Sequence, residues 1–103
     1  MPSCIYPYPF IINDAYHRMS VILRGAFGRS RIRGRTEEHH IIPKSLDPSL
    51  KKVKWNLVHL MYPEHFEVHQ LLPECLPNGE ARDKMIVVAY LMKQCFIYNQ
   101  LPN

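Results

Sequence analysis

Apolar positions along this chain recur at two periods, and the changes from one to the other mark its elements. Residues 1–12 hold three prolines and two tyrosines among apolar neighbours, a pattern that neither a helix nor a central strand tolerates, and predict an extended arm. From 13 to 27 the spacing turns helical: Asn13 suits an N-cap, Asp14 suits the positive end, Tyr16, Met19, Ser20, Leu23 and Phe27 share a stripe, and Gly25 and Gly28 end the helix. His17 falls off that stripe. Thr36 to Ile42 reads as a strand broken by Pro43, and Leu57 to Leu60 as its antiparallel return, with the turn signal Asp47-Pro48-Ser49 inside a long ordered loop between them. Pro63 opens a helix of about ten residues, Glu64 and Glu67 complement its N-terminus, and Pro73 stops it. A last helix over 80–98 carries Met85, Val88, Ala89, Met92 and Phe96 at helical spacing, a core or subunit face. These elements describe one α+β domain over 1–103, with a strand-strand-helix unit at 36–72 between an N-terminal and a C-terminal helix.

Composition narrows the setting. The chain's 103 residues suffice for a single modest core. No apolar run reaches the roughly 18 residues of a membrane span, and the first residues lack a basic segment and a cleavage pattern, so a soluble protein acting in the cytoplasm is expected, with no membrane partner. Cys4, Cys75 and Cys95 are odd in number and widely spaced, which predicts reduced thiols, with Cys95 in the core.

Charge is distributed unevenly. Residues 18–54 hold ten basic and three acidic side chains, a net +7, whereas the rest of the chain holds three basic and six acidic, a net −3. A basic half of this kind suits an anionic polymer, nucleic acid before membrane. Within it Arg29, Arg31, Arg33 and Arg35 alternate with smaller residues, which in an extended chain would form a one-sided comb for phosphates. Lys44, Lys51, Lys52 and Lys54 follow in the loop as further contacts to a DNA backbone.

The chemistry concentrates between Glu37 and Leu72, where five of the six histidines lie. His65 and His69 stand four apart on the predicted helix and so share a face, a two-point clamp for a metal. His39 and His40 are adjacent on a strand and point to opposite sides, so they take different roles. His59 sits within the returning strand and is given none. Glu37 and Arg35 share a side with His39, where Glu37 could orient a metal-bound histidine or an arginine aimed at the scissile phosphate, or form a simple surface ion pair.

These residues carry a resemblance. The strings EEHHIIPKSL, WNLVHL and EHFEVHQLL resemble the HNH endonuclease motif in its phage and homing-type variety. The likeness is specific over 37–72, and it implies a ββα-metal fold and metal-dependent hydrolysis of a DNA phosphodiester. By that resemblance His39, His65 and His69 are metal ligands, with His65 at the position most regularly occupied. His40 is the general base that deprotonates water, Asn56 is the central asparagine that steadies the loop and through it the base, and Glu37 is an outer-sphere residue. An imidazole titrating near 6.5 can serve as such a base close to neutrality. The implied cofactor is a divalent ion: magnesium or manganese as the working ion, with zinc or nickel as the tighter ligands of an all-imidazole set. The chain departs from the family in having Leu46-Asp47-Pro48 in place of a Gly-Gly turn, and Tyr62 in place of a hydroxyl cap before the helix.

The expected partner is double-stranded DNA. No separate DNA-reading module is evident, so low sequence specificity, or pairing with a second copy or a partner protein, follows. The competing expectation is a catalytically silent DNA-binding or zinc-stabilised module with the same fold.

Overall fold

A computed structural model describes residues 10–100, with side chains as far as residue 95. Three helices, α1 (Asp14–Ala26), α2 (Tyr62–Leu71) and α3 (Glu80–Gln100), surround a two-stranded antiparallel sheet of β1 (Thr36–His40) and β2 (Leu57–Met61). The chain is thus a small α+β fold. Among the described residues no helix is long and apolar enough to cross a membrane.

The sheet register pairs His39 with Val58 and Glu37 with Leu60. Because strand side chains alternate, these four residues occupy one face, and Val58 and Leu60 are fully buried there beneath the helices. Helix α1 starts as expected: the Asn13 side chain accepts from the Tyr16 amide at 2.9 Å, and its own Nδ2 donates to the Glu74 carbonyl at 2.9 Å, tying the helix to the turn after α2. Met19, Leu23, Leu60 and Leu72 are fully buried at the junction of helices and sheet, each contributing roughly 1.5–3 kcal/mol by its removal from water. Two ion pairs fasten α2: Arg18 on α1 to Glu67, and Arg29 to Glu64 with contacts of 2.5 and 3.1 Å.

The cap of α2 is Met61, one residue earlier than Pro63 suggested. Nothing at Met61 replaces the missing hydroxyl, and Glu64 instead reaches back to the cap residue, its Oε1 accepting from the Met61 amide at 2.8 Å. The helix passes directly into a 3-10 turn over Leu72–Cys75, so Pro73 changes its pitch rather than ending it outright.

Several expectations are corrected. Helix α1 ends at Ala26, so Gly25 lies inside it, and Ala26 takes the stripe position assigned to Phe27. Phe27 has left helical geometry and is exposed as the chain reverses at Gly28, whose φ of +80° favours glycine. The arginine comb does not form. Residues 33–35 are a turn closed by the Arg35 and Thr36 amides on the Ile32 carbonyl, with Gly34 at φ +78°, and Arg29 is drawn away to Glu64. Strand β1 stops at His40: the Ile41 amide still bonds the Asn56 carbonyl, but the Asn56 side chain takes the Ile42 amide and the ladder goes no further. Cys95 is exposed, whereas Cys75 is buried and its thiol is pushed up to about 11 by burial. Helix α3, with 21 residues, is about twice as long as α2, with 10. Of its predicted stripe, Ala89 is buried and Met85, Val88 and Met92 are half-buried, while the Phe96 side chain, like Cys4 and residues 1–9 of the arm, lies outside the described residues.

Candidate metal centre

Helix α2 crosses the face of the sheet that carries Glu37 and His39. Its first turns therefore bring His65 and His69, one turn apart, against His39. The imidazole centroids are 5.3 Å apart for His39 and His65, 5.1 Å for His39 and His69, and 4.7 Å for His65 and His69, all in edge-on arrangements. One ring nitrogen from each of the three lies within 4.8 Å of the others.

The hydrogen bonds show which nitrogens are free. Glu37 Oε1 accepts from His65 Nδ1 at 3.1 Å, which places the His65 proton on Nδ1 and leaves Nε2 with its lone pair. His39 Nε2 and His69 Nδ1 are buried with no hydrogen-bond partner. Orphaned polar atoms are rare in protein interiors and call for an explanation. Here they have the same one: both belong to the trio.

Burial also holds two of these rings, His39 and His69, in the ligating form. It pushes His39 well below its ordinary value, with the neighbouring charges of His69, His65 and His40 adding to the effect. Burial and then His65 bring His69 down to about 4. A neutral imidazole is the species that binds a metal. The donor set therefore fits, and these three histidines could hold a metal ion.

His40 points to the other side of the strand, and its Nε2 donates to the Lys51 carbonyl at 3.0 Å. A carbonyl can only accept, so Nε2 carries the proton and Nδ1 is free to receive one. Behind this contact stands Asn56, which is fully buried. Its Oδ1 accepts from the Ile42 amide at 2.8 Å, while Nδ2 donates to the Ile42 carbonyl at 3.1 Å and the Leu50 carbonyl at 3.3 Å. Asn56 therefore joins both ends of the loop after β1 and holds the segment whose next carbonyl, that of Lys51, orients His40.

His39, His40, His65 and His69 line one cavity of about 500 Å³. Lys44 and Ser45 from the loop and Lys84, Met85, Val87 and Val88 from α3 complete its walls. Of the basic residues read as DNA contacts, Arg31, Arg33, Arg35, Lys44, Lys51, Lys52 and Lys54 are exposed, and Arg29 is half-buried in its ion pair. His17 is exposed on α1, and His59 is half-buried in β2 opposite Glu38.

Sequence reasoning missed Lys84 and the apolar residues of α3 as parts of this site. Their spacing is that of an ordinary packing stripe, and only the return of α3 over α2 brings them to the histidines. It also missed Arg29 as the partner of Glu64, since the two lie 35 residues apart. Comparisons with family models, curated proteins and solved structures gave no match.

Proposed function

We propose that this chain is an HNH-type endonuclease that hydrolyses DNA phosphodiester bonds with the help of a divalent metal. The observation that carries the reading is the division of labour between adjacent residues: His39 joins His65 and His69 in a three-nitrogen set, while His40, on the opposite side of the strand, lines the same cavity with one nitrogen anchored and the other free.

In this reading His39, His65 and His69 hold the ion, and Glu37 keeps His65 in the ligating tautomer. A divalent ion in that position supplies charge stabilisation for the phosphoryl oxygens and the departing 3′ oxygen. His40 Nδ1 takes the proton of the attacking water, and the Lys51 carbonyl stabilises the resulting imidazolium through Nε2. Asn56 is a positioning residue, acting on His40 through the loop. The exposed lysines and arginines around the loop attract the DNA backbone. The products are 5′-phosphate and 3′-hydroxyl ends, and magnesium or manganese is the working ion.

Supercoiled plasmid incubated with magnesium, manganese, zinc or no metal tests the reading on wild type and His40→Ala. Nicking or linearisation by wild type, and its loss in His40→Ala, is expected. A plasmid left intact under every metal removes the enzyme reading, and metal-dependent DNA retention without cutting would identify a binding module instead. Equal cutting by His40→Ala removes the assignment of the base.

A further inference from the structure

A duplex backbone lying across a surface is held by exposed cations and needs no apolar groove beside them. This site has one. At about 500 Å³ the cavity beside the histidines is in the size range of pockets that enclose small ligands. Its lining holds the four histidines, the exposed cations Lys44 and Lys84 against a single exposed carboxylate, Glu38, the hydroxyl of Ser45, and the apolar side chains of Pro43, Leu72, Met85, Val87 and Val88. Leu72 is fully buried, and Met85 and Val88 are half-buried, so these groups form standing walls.

A ligand matching that combination has an anionic group for the lysines and for the ion the three histidines could hold, and a flat body whose faces tolerate aliphatic contact. A nucleotide with its base withdrawn from the stack has both. A stacked and paired base has no free face to offer, and a duplex as a whole is far too wide for the chamber. We infer that the site accepts one unstacked nucleotide, its base between the apolar residues of α3 and the loop and its phosphate toward the histidines and Lys84. Unpaired or mismatched strands are therefore the preferred substrates. The inference rests on the nuclease reading for the identity of the phosphate and goes beyond it in the state of the strand. Lys84, now held 3.2 Å from Glu80 by an exposed ion pair, can be released to the phosphate at little cost.

The test measures binding. The full chain loaded with zinc is titrated against a phosphorothioate-protected fluorescent oligonucleotide presented as a single strand, as a duplex with one mismatch, and as a perfect duplex. The single strand is expected to bind about tenfold tighter than the perfect duplex, with the mismatch between them, because extruding a base is least costly where pairing is absent. Val88→Trp fills the chamber and should abolish that preference without loss of zinc binding. Should it fail to fold, Val87→Trp, at an exposed position on the same lining, serves in its place. Lys84→Glu should weaken all three forms. Equal affinity for single strand and perfect duplex overturns the inference, as does a folded, zinc-binding, chamber-filled variant that keeps the full preference. An intact preference in a protein that cuts neither plasmid nor an unprotected single strand with any metal removes only the nuclease activity, and cutting without the preference removes only the unstacked nucleotide.

Discussion

Glu37 on β1 accepts a hydrogen bond from Nδ1 of His65 on α2, at 3.1 Å across 28 residues of chain. This contact sets the tautomer of a helical histidine from the strand that also carries His39, so the two halves of the metal site are aligned by a residue that is not itself in the trio.

Glu37→Gln should preserve the fold and weaken the site. The amide lacks the charge that raises the basicity of His65 Nε2, and loss of such a partner usually costs 10–100-fold in metal affinity. Competition between the protein and a fluorescent chelator for zinc checks this. An unchanged affinity would show that the contact is only a surface pair, in keeping with the exposure of the Glu37 side chain.

Asn56→Ala should be among the most damaging single changes. It strands the Ile42 amide and two carbonyls in a dry interior. With about 1–3 kcal/mol for each buried group left unsatisfied, a loss of about 3 kcal/mol or more is expected, and a fall of well over 10 °C in the thermal midpoint of a domain of this size. Circular dichroism melting measures it. Where the variant still folds, plasmid cutting should fall with it, because the Lys51 carbonyl is no longer held for His40.

Stability without metal should fall on acidification. His39 and His69 stay neutral in the folded chain below their ordinary 6.5, His69 down to about 4. The unfolded chain takes up those protons as the pH falls through about 6.5, so it binds more protons than the folded chain across that window and gains at its expense. The share of His69 is on the order of 3 kcal/mol by the time the pH reaches its folded value. Urea unfolding midpoints in the presence of a chelator should decline between about pH 7 and about pH 5. Zinc should raise the midpoint most at the upper end, where protons do not compete for the ring nitrogens.

The arginines after α1 should separate into two classes. Arg29→Ala removes a half-buried pair with Glu64 and a bond of 3.1 Å to the His59 carbonyl, and should cost about 1–2 kcal/mol in stability. Arg31, Arg33 and Arg35 are exposed, and changing all three to alanine should leave the melt nearly unchanged. Their loss should instead lower DNA affinity and flatten its salt dependence by up to about 0.9 per phosphate contact removed. Binding titrations at several salt concentrations distinguish the two.

The sequence by itself determined the elements and their order. Asn13 capped α1, Asp47-Pro48 turned the chain within the loop, and the four-residue spacing of His65 and His69 placed both on one helical face, because these signals act within a few residues of chain. The alternation of a strand separated His39 from His40 for the same reason, and the pairing of two strands followed from their neighbouring positions. What lay beyond local geometry was decided only by the tertiary fold. Arg29 found Glu64, 35 residues away, rather than a phosphate-facing row, and a turn at Gly34 broke the extended run the row required. Ile42 left its strand because the Asn56 side chain took its amide and carbonyl. Cys95, apolar enough for a core, stayed exposed on a helix about twice as long as α2. The freedom of His39 Nε2 and His69 Nδ1, and the cavity shared by the histidines and α3, exist only when distant segments exclude water together, and no spacing along the chain encodes that.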